Sequence, residues 1–271
     1  LGAVKYPENA IKKIDLGDIN KDLAINASDA VIMLKVYAGS LAGNNYFLTY
    51  AEEKYGDINS DGKIDSKDVE AINQFQKDNL FGICTGRPIK HMLYFLNDHF
   101  KSDFYITSTG SYILDKELNV LYESEIPYKI ACELIKQFNE LHPMYLHVGG
   151  EDIYVIHEEI EELHSPQIIV DYDTIPQRHI LNISTCANCI EEAIQIQNEI
   201  KKRFGQWIDV YRNDIYVDIV NKGVSKGKAC QWIKNHYNID TLYGIGDNYN
   251  DIPMFESCDY SFSFTYSPED V

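Results

Sequence analysis

After about residue 80, short apolar stretches alternate with longer stretches in which apolar residues recur every three or four positions. The short stretches predict strands and read FGICTG, YLHVGG, IYVDIV and TLYGIGD. The periodic stretches predict helices and read IKHMLYFLNDHF, KIACELIKQFNEL, IEEAIQIQNEIKKRF and SKGKACQWIKNHY. Alternation of this kind indicates an α/β fold with a parallel sheet.

The pattern before residue 80 is different. Two related acidic segments, offset by 39 residues, read GDINKDLAINASDAVIMLKVY and GDINSDGKIDSKDVEAINQF. In each segment the acidic cluster is followed by apolar residues at helical spacing. No linker rich in Gly, Ser or Pro follows the second segment, which runs straight into the α/β region. We therefore predict a small all-α module over 1–79 and an α/β body after it.

Both acidic segments have the ligand spacing of a calcium loop. Such a loop places oxygen ligands at its first, third, fifth, seventh, ninth and twelfth positions, with Gly at the sixth to make the turn. In the second segment these ligand positions hold Asp57, Asn59, Asp61, Lys63 (through its carbonyl), Asp65 and Asp68. In the first segment they hold Asp18, Asn20, Asp22, Ala24 (through its carbonyl), Asn26 and Asp29.

The turn position distinguishes the two loops. It is Gly62 in the second loop and Leu23 in the first, where a left-handed backbone costs roughly 1 kcal/mol. We therefore predict two Ca²⁺ sites, of which the second is tighter. Two solvated acidic turns are the plainer alternative.

The tandem segment resembles a dockerin, the calcium-dependent module that joins cellulosomal enzymes to cohesin domains. The resemblance rests on the GDIN opening of each repeat, on Asp29 and Asp68 at the last loop position, and on a single helix after each loop. It covers roughly residues 14–79. It implies a cohesin domain of a scaffoldin as partner and an extracellular location in a cellulosome.

Three motifs after residue 80 place polar residues where parallel sheets bind ligands. The strand in FGICTGRP is followed by Thr85, Gly86 and Arg87, at the carboxyl end of a strand. In KGVSKGKA, Lys226 sits beside the exposed N–H groups of a helix start, a natural phosphate site. In YGIGDNYNDIPMF, Asp247 follows a strand and is placed to bind a hard cation such as Mg²⁺. Taken singly, each motif has a plain structural explanation as a cap, a solvated lysine or a turn. Together, their order and spacing favour a phosphate site.

The three motifs resemble those of the haloacid dehalogenase-like phosphatases, in particular the Cof-type branch with an α/β cap. The resemblance implies a Rossmann-like parallel sheet over 80–112 and 219–271, with 45–79 as an optional extension, and an inserted α/β cap over 113–218. It implies that the phosphoryl group is held by Thr85, Gly86, Arg87, Lys226 and Asn250, and that Mg²⁺ is held by Asp247 and Asp251. The resemblance also implies that Thr85, Lys226 and Asp247 take part in catalysis. The cap would close over a small phosphorylated metabolite.

The opening motif of that family is missing. The motif is an apolar strand ending in Asp-x-Asp-Gly-Thr, whose first Asp attacks phosphorus and whose second shuttles a proton. Two places offer a remnant: NSDGK, where Asn59 takes the nucleophile position, and NYFLTYAEEK, where Tyr50 and Glu52 take the two carboxylate positions. The family also normally continues beyond the closing SPEDV. The helix predicted from about Lys67 to Lys77 ends the dockerin and stands where the first helix of the phosphatase would lie.

Composition narrows the classes of partner. The net charge of −18 argues against nucleic acid and suits metal cations and basic proteins. The sequence contains no run of 18 apolar residues, so no membrane-spanning helix is predicted. The six cysteines are scattered, and Cys186-Ala-Asn-Cys189 indicates a structural helix start more than a redox or metal pair.

Three hypotheses about function follow. The first is a Mg²⁺-dependent phosphohydrolase-like body for phosphate monoesters that carries a dockerin, impaired or inactive because the attacking Asp is absent. The second is a non-catalytic, calcium-dependent dockerin module that mediates cellulosome assembly. The third is a calcium sensor whose repeats open on binding. The dockerin favours an extracellular location, whereas Cof-type phosphatases usually work in the cytoplasm.

Overall fold

The computed structural model describes residues 76–96, 101–161, 166–263, 267–269 and 271. The chain divides into two compact units, 1–81 and 82–271, close to the boundary predicted at residue 79. In the first unit the described residues are 76–81, which include a turn over 76–78. Several predictions fall outside the described residues. They are both calcium loops, the helix predicted from about Lys67 as far as residue 75, and the two candidate remnants of the first motif at Asn59 and Tyr50.

The second unit begins with a four-stranded sheet. Its strands, in sheet order, are β1 (Gly82–Cys84), β2 (Phe104–Thr107), β3 (Tyr112–Asp115) and β4 (Val120–Glu123). The first pair is parallel, with Gly82 opposite Phe104, and the other two pairs are antiparallel. The predicted parallel sheet is therefore a mixed one, because a hairpin extends it beyond β2.

Near the end of the chain, two further strands form a parallel pair. They are β11 (Tyr243–Gly246) and β12 (Tyr260–Ser263). Among the described strands, β1 pairs only with β2 and β11 only with β12. The stretch NYFLTY, which we expect between β1 and β11, lies outside the described residues.

The middle of the unit is a six-stranded sheet. Its strands are β5 (Met144–Val148), β6 (Asp152–Ile156), β7 (Gln167–Val170), β8 (Ile180–Cys186), β9 (Ile208–Asn213) and β10 (Tyr216–Asn221). Their order in the sheet is β7-β6-β5-β8-β10-β9. Only the β6–β7 pair is parallel. These strands lie in the region that we predict as an inserted α/β cap.

The chain changes sheets at positions other than residues 113 and 218, which we predict as the ends of the cap. Strands β3 and β4 belong to the sheet of β1, so the chain changes sheets only after Glu123. At the other end, β10 continues to Asn221. The apolar residues of YILD and VLYE are typical of strands, but they do not indicate which sheet the strands join.

Five helices complete the described unit. They are α1 (Ile89–Leu96), α2 (Tyr128–Phe138), α3 (Ile190–Phe204), α4 (Lys226–His236) and the short α5 (Ile252–Phe255). Cys189 is the N-cap residue of α3, in agreement with the helix start predicted there. Among the described helices, none has both the length and the apolar character needed to cross a membrane.

The helices α2 and α3 cover one face of the six-stranded sheet. They bury apolar side chains at helical spacing, such as Leu134 and Phe138 on α2 and Ile196 and Ile200 on α3. The alternate residues Val217 and Ile219 of β10 belong to the same apolar cluster. By strand alternation, the residue between them, Asp218, lies on the opposite face of this sheet. That face carries much of the polar structure described next.

Candidate phosphate-binding site

The loop after β1 is a tight turn held by backbone hydrogen bonds. The Thr85 N–H donates to the Ile106 carbonyl at 2.8 Å, which continues the β1–β2 pairing. The Thr85 hydroxyl then accepts from the Arg87 N–H at 3.2 Å. The predicted residues Thr85, Gly86 and Arg87 thus lie together at the carboxyl end of β1.

A buried turn, Ser108–Gly110, supports this loop from the end of β2. The Thr109 N–H donates to the Thr85 carbonyl at 3.1 Å, and the Ser108 N–H donates to the Arg87 carbonyl at 3.0 Å. All three residues of the turn have positive φ, at 49°, 59° and 97°. Two of them are not glycine, and this left-handed backbone is costly for such residues. The turn is therefore a strained element that its surroundings must hold in place.

The same turn meets the start of α4. A Cβ added to Gly110 would lie 2.4 Å from the Ser225 carbonyl oxygen, so the two segments touch through backbone. Ser225 is the N-cap of α4, and its hydroxyl accepts from the Lys228 N–H at 3.0 Å. Lys226 is the first residue of the helix, in agreement with the predicted helix start.

The Lys226 side chain is buried, with 7% of its surface exposed. Its Nζ donates to Asp251 Oδ1 at 2.5 Å and to Asn250 Oδ1 at 3.3 Å. Burial works against the charge of Lys226, but Asp251, Cys84 and Asp218 together outweigh it, so the pKa of Lys226 is raised above its ordinary value. A charged amine is therefore held where α4 begins.

The turn after β11 is organised around the Asp251 carboxylate. Asp251 Oδ2 accepts from the N–H groups of Asp247 and Asn248, at 3.0 and 3.2 Å. A Cβ on Gly246 would lie 2.5 Å from the Asp251 carboxyl carbon, so the glycine makes room for it. The half-buried Asp247 stands at the start of the turn, directly after the strand.

The predicted site residues are therefore brought together by a continuous chain of contacts. Thr85 contacts the Ser108–Gly110 turn, the turn contacts the start of α4, and Lys226 contacts Asn250 and Asp251. Asp251 in turn holds the backbone of Asp247. The sequence analysis did not predict that Lys226 pairs with Asp251, because it assigned Lys226 to phosphate binding and Asp251 to Mg²⁺ binding.

The six-stranded sheet approaches this site with buried polar groups. The Thr109 hydroxyl donates to Asp218 Oδ2 at 3.1 Å, and the Ser184 hydroxyl donates to Asp218 Oδ1 at 2.5 Å. Burial raises the pKa of Asp218, with the two hydroxyl donors and Lys226 acting in the opposite direction. His147 Nδ1 lies 3.3 Å from Ser108 Oγ. Burial lowers the pKa of His147 to about 3, and His91 adds to the effect.

An arginine from the same sheet lies against the turn after β11. The guanidinium carbon of Arg212 is 4.0 Å from the centre of the Tyr249 ring, within cation–π range. Its Nη1 donates to the Asp214 carbonyl at 3.1 Å. Strand β9 thus contacts the segment that carries Asp247 and Asn250.

Sequence reasoning missed Thr109, Asp218 and Arg212. A signal for Asp218 was present, because a carboxylate inside the apolar run IYVDIV is a candidate for burial, and buried carboxylates often mark functional sites. Thr109 carried no such signal, since its position in the site depends on a positive φ that the residues STG do not predict.

Comparison with known proteins agrees with both halves of the sequence analysis. The profile described as haloacid dehalogenase-like hydrolase matches residues 58–271, and the dockerin type I domain profile matches residues 16–75. The two matches overlap over 58–75, so the hydrolase match begins inside the second acidic repeat.

Individual relatives are distant. An uncharacterized protein of Mycoplasma capricolum subsp. capricolum is 28% identical over 215 residues, which cover 72% of this chain and 79% of that protein. A phosphoglycolate phosphatase of Sulfurisphaera tokodaii is 28% identical over 193 residues, covering 70% of this chain and 68% of that protein. The chain spans 58% to 79% of the length of the curated relatives it matches.

The fold is shared with solved structures. The crystal structure of SMU.1108c from Streptococcus mutans UA159 superposes with a TM-score of 0.67 at 22% identity, covering 78% of this chain and 84% of that one. Together with the match over 58–271, this shows that the chain belongs to the haloacid dehalogenase-like hydrolase family and carries a dockerin type I domain in its N-terminal part.

Proposed function

We propose that the second unit binds a phosphate monoester together with Mg²⁺, and that its turnover is impaired or absent. The observation that carries the proposal is the buried Lys226 ammonium, which a carboxylate holds next to the turn at Thr85. A cation fixed at a helix start, beside a loop rich in N–H groups, favours a phosphate oxyanion. The substrate class is a small phosphorylated metabolite.

The donor set at the end of β11 suits Mg²⁺, which prefers carboxylate oxygens. The Asp251 carboxylate already accepts from Lys226 and from two backbone N–H groups. We therefore assign Asp247 as the direct ligand and Asp251 as the group that orients it. When bound, Mg²⁺ would neutralise charge on the phosphoryl oxygens. Asn250, Thr85, Gly86 and Arg87 would complete the phosphate contacts.

Loss of the attacking carboxylate would limit turnover. The hydrolase match begins at residue 58, which supports NSDGK as the place of the family's first motif, with Asn59 at the nucleophile position. An amide is not a useful nucleophile, and losing a covalent nucleophile commonly costs on the order of 10⁴ to 10⁶ in rate. The remaining groups bind and orient the phosphoryl group without attacking it.

Phosphate release from p-nitrophenyl phosphate with Mg²⁺ tests this assignment. We expect little release from the wild type and a gain in Asn59→Asp if NSDGK is the decayed motif. A gain in the double variant Tyr50→Asp, Glu52→Asp would instead place the motif in NYFLTYAEEK. A rapid burst of product from the unchanged chain would show that a nucleophile is present elsewhere and would refute the proposal.

A second function is favoured by the dockerin match over 16–75. We propose that this part binds two Ca²⁺ ions through the loops Asp18–Asp29 and Asp57–Asp68 and docks onto a cohesin domain of a scaffoldin. Docking would place the protein outside the cell, in a cellulosome. The test is retention on a panel of immobilised cohesins with Ca²⁺ and with chelator. Retention only with Ca²⁺ supports docking, and no retention on any cohesin contradicts it.

A further inference from the structure

We propose that Asp218 is a positioning residue for the phosphate site: by holding Thr109, it fixes the Thr85–Arg87 loop relative to Lys226. The inference rests on the proposed phosphate-binding function and adds to it a residue from the six-stranded sheet. Asp218 does not need to touch the phosphate, because it acts through the Ser108–Gly110 turn.

The first step of the argument is the link from Asp218 to the loop. Asp218 Oδ2 accepts the Thr109 hydroxyl at 3.1 Å, and the Thr109 N–H donates to the Thr85 carbonyl at 3.1 Å. One residue thus connects the carboxylate to the loop through two hydrogen bonds. The Asn182 amide donates to the same Thr109 hydroxyl at 3.1 Å, so the Thr109 side chain is fixed by two groups of the six-stranded sheet.

The second step is direct contact with the loop itself. A Cβ added to Gly86 would lie 3.2 Å from Asp218 Oδ2 and 3.3 Å from Thr109 Oγ1. The carboxylate therefore packs directly behind the loop backbone. Any displacement of Asp218 would leave Gly86 without that support.

The third step is strain. The Ser108–Gly110 turn keeps three consecutive positive φ angles, two of them at non-glycine residues, and all three residues are buried. Such a backbone persists only where its surroundings over-determine it. Two sets of contacts hold this backbone in place. Thr109 hydrogen-bonds with Asp218 and Asn182, and Gly110 lies against the Ser225 carbonyl.

The choice of a carboxylate also follows from the geometry. The Thr109 and Ser184 hydroxyls approach the Asp218 oxygens with protons that can point inwards, and the Asn182 side chain also hydrogen-bonds this carboxylate. An ionised carboxylate accepts at both oxygens, whereas an amide offers an N–H₂ group at one of them. Asp218→Asn would therefore face one hydroxyl with a second donor and disturb the turn.

The experiment measures the affinity for inorganic phosphate with Mg²⁺ by calorimetry, alongside thermal melting. Thr109→Val removes the hydroxyl at nearly constant shape, Thr109→Ser restores it, and Asp218→Asn changes the acceptor. The matched control is Thr185→Val on β8, which removes a buried hydroxyl that donates to the Pro143 carbonyl at 2.9 Å. We expect affinity to fall about tenfold or more in Thr109→Val and Asp218→Asn, the effect of one lost charge-assisted hydrogen bond. Thr109→Ser and Thr185→Val should bind as the wild type does.

Each other outcome has a defined meaning. Wild-type affinity in Thr109→Val, or equal losses in Thr109→Val and Thr109→Ser, would overturn the positioning role. An equal loss of affinity in Thr185→Val would show that removing any buried hydroxyl weakens binding through overall stability, and would also overturn the positioning role. Absence of phosphate binding in the wild type would instead refute the proposed function, so the two failures are distinguishable.

Discussion

At the residue scale, the central feature is the pairing of Lys226 with Asp251. Their side chains are 7% and 6% exposed, so both charges have left water. Removing one partner from a buried pair strands the other charge, at a cost of about 3–5 kcal/mol. The two charges should therefore depend on each other.

We predict that Lys226→Met and Asp251→Leu each lower the free energy of unfolding by about 3 kcal/mol or more. The double variant should lose less than the sum, because it leaves no stranded charge. Chemical denaturation measures all three values. The control is Lys234→Met, whose partner Asp259 is 41% exposed, with an expected loss of about 1 kcal/mol at most. Strictly additive losses in the double variant would contradict the pairing.

His147 gives a prediction about pH. Its folded pKa of about 3 lies below the unfolded value near 6.5, so the unfolded state binds the proton more readily. The stability that neutral His147 contributes is therefore fully present above about pH 6.5 and is lost as pH falls towards 3. Replacing it by Gln should flatten the decline by up to about 1.4 kcal/mol per pH unit in this window. The control is His157→Gln, which removes an exposed histidine paired with Asp171. An unchanged slope in His147→Gln would contradict the prediction.

At the element scale, the Ser108–Gly110 turn makes a backbone contact between the end of β2 and the start of α4. Gly110→Ala should both strain the backbone at φ 97° and push a methyl group to 2.4 Å from the Ser225 carbonyl oxygen. Gly223→Ala is a matched control, with φ 82° and nothing within 4 Å of the added carbon. We expect a loss of about 1 kcal/mol for Gly223→Ala and a further 1–3 kcal/mol or so for Gly110→Ala. Equal losses in thermal or chemical unfolding would show that the close approach carries no cost.

Four of the five described helices of the second unit were predicted from periodicity, whereas the strands named from the sequence correspond to four of the twelve described strands. The helix predicted over IEEAIQIQNEIKKRF begins and ends where α3 does, because its apolar residues keep a strict helical spacing. The start of α4 was equally readable from Ser225 and Lys226. The sheet joined by the β3–β4 hairpin was not readable, since alternation reports which face is buried and not which strand is the neighbour.

The candidate site was predictable to a similar extent. Thr85, Lys226 and Asp247 stand at strand ends and a helix start, and the structure brings those segments together. The link from Thr109 to Asp218 depends on a positive φ and on a contact 109 residues apart in sequence, which no local pattern encodes. The metal and phosphate roles of these residues stay predictions.

At the scale of the whole molecule, the dockerin match and the hydrolase match share one stretch of the chain. The dockerin and hydrolase matches overlap over 58–75, so the predicted second calcium loop, apart from its first residue Asp57, lies within both. Metal binding and folding are coupled in small metal-dependent modules.

We therefore predict that the double variant Asp57→Ala, Asp68→Ala lowers the melting temperature in Ca²⁺ more than Asp18→Ala, Asp29→Ala does. The second loop has Gly62 at its turn, whereas Leu23 strains the first. Calorimetry with Ca²⁺ should show a tighter site that disappears in the first of these variants. A tighter site that survives there, or identical melting with and without chelator, would contradict the calcium assignment.

The central claim is that Lys226 and the turn after β11 form a phosphate site that works with Mg²⁺. Calorimetric titration of inorganic phosphate into the wild type and into Lys226→Met, each with and without Mg²⁺, tests it most directly. The account predicts binding in the wild type that strengthens with Mg²⁺, and affinity at least about tenfold weaker in the variant, since a charge-assisted contact is lost. Absence of binding in the wild type, or equal affinity in both proteins, would contradict it.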